Sequence, residues 1–315
     1  MTVEPVTRGL LQRMAERATK PRHEMSPAEA RAALAELPKI IGRGPSVRKA
    51  HDFEIPVGSE HLPARLYVPD GDLQGLLVYF HGGGWVVGSI AEFDPLCREI
   101  AVRSGCAVAA VGYRKAPEHP YPGPVNDAWA ALQWIAERQV ALLGGSLPLL
   151  VGGDSAGANL TIAVTFRARQ QGSPRIDGQL LVYPVTDYDL DSPSYVDPEN
   201  QLMLTRDTMA WYWGHYVADP ARRREPEAAP LRAADLAGLP AAVILTAEHD
   251  VLRHEGEEYA RRLREAGVPV RHRRFDGQMH GFLMMVDLLP GSATGLDYVG
   301  NSLRDLLAGR QTPRS

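Results

Sequence analysis

Short runs of consecutive apolar residues alternate with longer stretches of helical periodicity over most of this chain. The runs at 76–80, 107–111, 147–151, 180–183 and 242–245 carry no charged position, the pattern of strands buried on both faces. Between and after them, apolar residues recur at helical spacing over 94–103, 124–138, 156–171, 255–266 and 295–308. Strand–helix alternation of this kind predicts an α/β fold: a mostly parallel sheet covered by helices on both faces. Residues 53–57 and 62–68 read as an antiparallel hairpin at one end of this sheet. Residues 270–275 alternate apolar and polar, as an outer strand does.

Two regions depart from the alternation. Residues 1–45 are polar and helical. Ser26-Pro27-Ala28-Glu29 is a helix start, with a serine cap, proline at the first helical position and a glutamate placed to close a capping box; Ala30, Ala33, Leu34 and Leu37 follow at helical spacing. Leu10, Leu11 and Met14 predict an earlier amphipathic helix whose apolar face needs a partner, on the main body or on another subunit. The second departure, about 187–230, holds no strand but a helix at 205–217 rich in aromatics (Trp211, Tyr212, Trp213, Tyr216), as a lid inserted between two sheet strands would. The predicted organisation is therefore an N-terminal helical part of a cap at 1–45 and a main domain at 46–315 carrying a cap insertion at about 187–230.

Composition narrows the function classes. The chain has 315 residues, 44% apolar and 23% charged, with a formal net charge of −4, so it is globular and offers nucleic acid or anionic lipid no bulk attraction. Its 34 basic residues include only four lysines, and the arginines are scattered rather than clustered. The N-terminal residues have no apolar run of signal-peptide length, and no stretch is long and apolar enough to span a membrane, so the expected location is cytoplasmic. The two cysteines, Cys97 and Cys106, read as free buried thiols.

Gly153-Asp154-Ser155-Ala156-Gly157 lies between a predicted strand and a predicted helix, which puts Ser155 on a strand-to-helix turn. Such a turn needs small residues two positions either side of the serine, and the helix start places positive dipole beneath developing negative charge. A serine hydroxyl needs a base and an orienting acid, which in a doubly wound hydrolase follow in the order Ser, acid, His. Asp250 follows the strand at 242–245, and His280 follows the strand at 270–275. Both stand at carboxyl ends of strands, where such sheets carry their sites. His81-Gly82-Gly83-Gly84-Trp85 follows the strand at 76–80. Three glycines allow backbone N–H groups to approach an oxyanion, with the Ala156 amide as a further donor. No Lys-Ser/Thr follows this loop, which excludes a P-loop, and no metal-ligand spacing is present.

In this order, residues 81–85, 153–157, Asp250 and His280 resemble the bacterial hormone-sensitive-lipase family of α/β-hydrolase esterases. Residues 113–122, Tyr183-Pro184 and the aromatic stretch 211–216 add to the likeness, which spans roughly 50–310. The resemblance implies an α/β-hydrolase fold and serine carboxylesterase activity without cofactor or metal. It implies Ser155 as nucleophile, Asp250 as acid, His280 as base, and Gly83, Gly84 and Ala156 as oxyanion donors. His81 would steady the glycine loop with Gly82, and Asp154 places the chain in the GDSAG branch. Lys115 departs from the family's usual leucine and His254 from its usual aspartate.

The reading is a carboxylic ester hydrolase for short- to medium-chain acyl esters. Trp85, Trp211, Trp213 and Phe282 are the candidate substrate-binding residues. Its partner is a small-molecule ester, with neither nucleic acid nor membrane, and a homodimer is implied by the resemblance. The same triad also serves amide, carbamate or lactone hydrolysis. A non-catalytic small-molecule receptor on this scaffold is the reading from another class, and the setting of His280 opposes it.

Overall fold

The computed structural model describes residues 3–17 and 20–309. Parts of both predicted segments, at 1–2, 18–19 and 310–315, lie outside the described residues. Eight strands form one sheet: β1 (Lys49–Val57), β2 (Glu60–Val68), β3 (Leu76–Phe80), β4 (Ala107–Val111), β5 (Leu149–Asp154), β6 (Gly178–Val182), β7 (Ala242–His249) and β8 (Val270–Met279). Their order is β1-β2-β4-β3-β5-β6-β7-β8; β2 runs antiparallel to both its neighbours and every other pair is parallel.

The continuous apolar runs are explained by two-sided burial. In β3, Leu76, Val78 and Phe80 join the core on one face, while Leu77 and Tyr79 join the core on the other. Helices α4 (Gly123–Glu137) and α6 (Ala156–Gln171) cover the first face; α3 (Ile90–Ser104) and α10 (Pro290–Ala308) cover the second. The short α5 (Gln139–Leu143) follows α4, and α9 (Arg253–Glu265) packs beside β7 and β8. Cys97 and Cys106 are free and buried.

The N-terminal segment holds α1 (Pro5–Arg17) and α2 (Pro27–Leu34), the latter with the capping box between Ser26 and Glu29 in place. Leu37 falls outside α2, in a separate 3-10 turn: Pro38 has no N–H to offer the Leu34 carbonyl, so the α-helical ladder is not carried through. The apolar face of α1 finds its partner within the same chain: Leu10 is buried with Leu37, Ile41 and the Phe282–Leu283 region. The stretch 187–230 contains α7 (Pro193–Val196), α8 (Arg206–Tyr216) and 3-10 turns but no strand.

Strand β8 is longer than its alternating part. It runs on to Met279, which pairs with His249 of β7 after a register shift, so His280 follows the strand directly rather than standing in a loop. The carboxyl ends of β3, β5, β7 and β8 thus deliver His81, Ser155, Asp250 and His280 to one edge of the sheet.

Candidate active site

Ser155 sits between β5 and α6 at φ 54°, ψ −119°, a left-handed conformation that costs of order 1–3 kcal/mol and persists only where its surroundings enforce it. The sterics explain the flanking glycines. A Cβ on Gly157 would lie 1.9 Å from the Phe80 carbonyl oxygen, and one on Gly153 would lie 2.4 Å from Gly157 and 2.5 Å from the same oxygen. The elbow therefore wedges against β3 as well as against itself. The Ser155 N–H donates to Val182 O at 2.8 Å, tying the turn to β6.

His280 Nε2 lies 3.1 Å from Ser155 Oγ, and His280 Nδ1 lies 2.7 Å from Asp250 Oδ2. Since a carboxylate only accepts, Nδ1 carries the proton and Nε2 is left to take one from the serine. The Asp250 side chain is 0% exposed and its other oxygen accepts the Leu252 N–H at 2.9 Å. A buried, doubly held acid of this kind fixes both the tautomer and the orientation of the ring. The Tyr183 ring packs 4.6 Å from the imidazole and limits its tilt.

The glycine loop faces this chain of hydrogen bonds. Gly83 has φ 114°, Gly84 57° and Trp85 59°. A Cβ on Gly83 would meet the Val87 carbonyl at 2.3 Å, and one on Gly84 would enter the Tyr212 ring at 2.2 Å. Glycine is required at both by backbone conformation and by space. Ala156 opens α6, where the first amides of a helix have no intrahelical acceptor. His81 lies beneath the loop: its ring stacks on Tyr113 at 4.5 Å and on Phe93 at 5.4 Å, and its Nδ1 donates to Gly82 O at 2.7 Å. Burial, then the nearby Lys115 charge, push the His81 imidazole down to about 3, so it is neutral at working pH. Lys115 is itself held below the ordinary lysine range, first by burial and then by Arg31. His254 is exposed on α9, where its backbone N–H meets Ser194 Oγ at 3.2 Å.

Three of the four predicted substrate-binding aromatics are placed otherwise. Trp85 and Trp213 are 0% exposed; the Trp85 ring stacks on Tyr216 at 4.0 Å and 8° and meets Trp213 at 4.9 Å. Phe282 is also 0% exposed, between Phe275 and Tyr183. A ring enclosed by protein on every side offers a ligand no surface: Trp85 and Trp213 pack α8 against the glycine loop, and Phe282 packs against β8. Trp211 keeps exposed surface, edge-on to Tyr212 and His215.

Several supporting residues carry no motif. Asn159, one turn after Ser155, donates to Val185 O and Ala228 O, pinning both ends of the cap insertion. The buried Glu255 accepts the Thr186 N–H at 2.7 Å, and burial raises its carboxyl well above the usual range. Arg31 of α2 donates to Val86 O and Ala116 O, both at 2.8 Å, and forks onto Glu118. Arg22 of the same segment brings its charge near the Tyr212 hydroxyl. A helical pattern shows that these helices exist, not what lies across them from far along the chain; the contacts had no sequence signal.

A serine on a strained strand-to-helix elbow, a histidine–aspartate pair within reach and a glycine loop beside them define an α/β-hydrolase fold with a serine-hydrolase site. Residues 77–284 match the family model described as alpha/beta hydrolase fold. The chain is 40% identical to carboxylesterase NlhH of Mycobacterium tuberculosis over 243 residues, 75% of this chain and 76% of that protein. It is 35% identical to an ethyl acetate hydrolase of Pseudomonas putida over 296 residues, 91% and 92% of the two chains. A thermostable esterase of Pseudomonas putida superposes with a TM-score of 0.90 at 33% identity, covering 97% and 98%. The chain belongs to the hormone-sensitive-lipase-like α/β-hydrolases and is a carboxylic ester hydrolase.

Proposed function

We propose that the protein hydrolyses esters of short- to medium-chain acids through an acyl-enzyme on Ser155. The observation that carries this reading is the unbroken hydrogen-bonded series Ser155–His280–Asp250 beside the glycine loop. His280 takes the proton of Ser155 as Oγ attacks the ester carbonyl, and Asp250 stabilises the imidazolium that forms. The oxyanion is met by the amides of Gly83, Gly84 and Ala156. His280 returns the proton to the departing alcohol, then activates the water that releases the acid and restores Ser155.

The acyl preference centres on about four to eight carbons and is graded, since each buried methylene contributes only about 0.8 kcal/mol. The names of two relatives, a carboxylesterase and an ethyl acetate hydrolase, support a small ester substrate. The reading extends to a cytoplasmic enzyme, and among the described residues no helix is long and apolar enough to cross a membrane. It extends also to a homodimer, for which β8 is an available sheet edge; sedimentation tests that part.

Hydrolysis of nitrophenyl esters from two to sixteen carbons, by parent and Ser155→Ala side by side, is the test. Turnover by the parent alone, with a maximum among the shorter chains, is the expected result. Near-parent turnover by Ser155→Ala refutes the acyl-enzyme, and rates rising steadily to the longest chain refute the size preference.

A further inference from the structure

Asp154 ends β5 immediately before the nucleophile, yet its side chain turns away from Ser155 to the neighbouring loop. Its Oδ1 accepts two hydrogen bonds, from the Tyr79 hydroxyl at 2.9 Å and from the Gly82 N–H at 3.0 Å. Its Oδ2 lies so close to Gly82 that a Cβ there would come within 2.3 Å of it. The carboxylate is thus pressed flat against the residue that begins the run Gly82-Gly83-Gly84, and it is 2% exposed. Tyr79 approaches from β3, the strand that leads into that loop. One side chain therefore ties the nucleophile's strand to the first amide of the glycine loop, and a tyrosine of the loop's own strand fixes the tie.

We propose that Asp154, held by Tyr79, is a positioning residue that aims the glycine-loop amides at the substrate oxygen, and that its protonation relaxes this aim. The inference deepens the serine-esterase reading and rests on it. Gly83 and Gly84 have φ values open to many alternatives, so a loop fixed only at its ends would sample them. An anchor at Gly82 removes that freedom before substrate arrives, which is how donor preorganisation lowers a barrier. An ionised oxygen accepts two donors strongly; a neutral carboxyl does so more weakly, and its own proton must find a place.

The surroundings set when this change occurs. Burial raises the Asp154 carboxyl to about 6, opposed by the hydrogen bonds from Tyr79 and Gly82 and by the His280 charge. The other titratable groups facing it are Tyr79 on β3, Cys97 on α3, Tyr113 after β4 and Tyr183 after β6. Burial raises all four, so they are neutral at working pH. His280 is the one basic group among these neighbours. Protonation of Asp154 thus adds one proton to those that remove activity as pH falls. Because burial raises this carboxyl, its ionisation costs the fold stability as pH rises from about 4 toward about 6, so the variants' melting temperatures are read beside their kinetics.

The experiment compares Asp154→Ala, Asp154→Asn and Tyr79→Phe with the parent, using nitrophenyl butyrate from pH 5 to 9 and an alkylboronic acid as a tetrahedral oxyanion mimic. Asp154→Ala is expected to lower kcat at pH 8 by roughly 10²–10³, with KM within about threefold and boronate affinity falling in parallel. Asp154→Asn keeps an acceptor and loses the titration, so its acid limb falls with one proton fewer than the parent's. Tyr79→Phe removes a donor that favours the ionised form, and the acid limb moves to higher pH. Parent-like kcat and boronate affinity in Asp154→Ala overturn the proposal, as does an acid limb as steep as the parent's in Asp154→Asn. Losses shared equally by kcat, KM and melting temperature assign Asp154 to stability alone and also overturn it. If Ser155→Ala retains near-parent turnover, the esterase reading has failed instead, whatever the Asp154 variants do.

Discussion

The two halves of the active site are held in different ways. Asp250 and His280 each follow a strand directly, and β7 and β8 are neighbours, so sheet pairing alone brings the two within a hydrogen bond. The glycine loop belongs to no strand pair; beyond its own turn hydrogen bonds it is held by side chains from elsewhere. Gly82 is held by Asp154 from β5, the His81 carbonyl by the Tyr113 hydroxyl, Gly84 by the Tyr212 ring from α8, and Val86 by Arg31 from α2. Trp85, at a positive φ that a bulky residue rarely adopts, is clamped by Trp213 and Tyr216 of the cap. The proton-transfer half is a product of strand pairing; the glycine loop is tied from both sides, by Asp154 and Tyr113 from the sheet side and by α2 and α8 above it. The segments at 22–34 and 206–216 thus touch the loop as well as cover it.

The largest effect that can break this contrast lies in the first half. Asp250→Asn leaves the ring's neighbours in place but removes the buried charge opposite Nδ1, so kcat is expected to fall by about 10⁴ with little change in melting temperature. Turnover within about tenfold of the parent would mean that Asp250 does not set the histidine tautomer.

Next comes the loop half. Gly84→Ala forces a Cβ into the Tyr212 ring from a backbone held at φ 57°. The expected loss is that of one oxyanion donor, roughly 10²–10³ in kcat. Pairing it with Tyr212→Ala sharpens the comparison: recovery of activity assigns the loss to the clash with the cap, and no recovery assigns it to backbone strain.

The smallest effect is at the outer clamp. Arg31→Ala removes two carbonyl contacts and the fork onto Glu118, whose carboxyl Arg31 holds down at about 2. Because the pair is largely exposed, the expected loss is only about 1–2 kcal/mol, read as a few-fold drop in kcat and greater protease sensitivity near 22–40. Unchanged kinetics would show that Tyr212 and Trp213 hold the loop without help from the N-terminal segment.

Much of this was legible in residue order. The uncharged apolar runs predicted β3, β5 and β7, because a strand buried on both faces tolerates no charge on either, while β8, an edge strand with three arginines, showed only as an alternating stretch. Gly153 and Gly157 announced the elbow, since the steric demand acts within a few residues. The capping box at Ser26 and Glu29 is equally local. Misjudgements arose where a side chain's surroundings come from far along the chain. Trp85 and Phe282 read as pocket residues because large apolar side chains near a catalytic motif suggest one; both are sealed in packing contacts. Tyr79 and Arg31 showed no signal, and Tyr212 stood out only as one aromatic of a lid-like helix, because a buried hydroxyl and a surface arginine look alike wherever they stand.

The sequence by itself determined the strand–helix alternation, the nucleophile elbow and the order of serine, acid and histidine, because those follow from backbone periodicity and steric limits acting over a few residues. Only the tertiary structure decided that Asp154 reaches Gly82, that the Tyr212 ring lies on Gly84 and that Trp85 closes a core rather than a pocket. Each of these joins elements distant in the chain, and only the packed sheet and cap bring their atoms together.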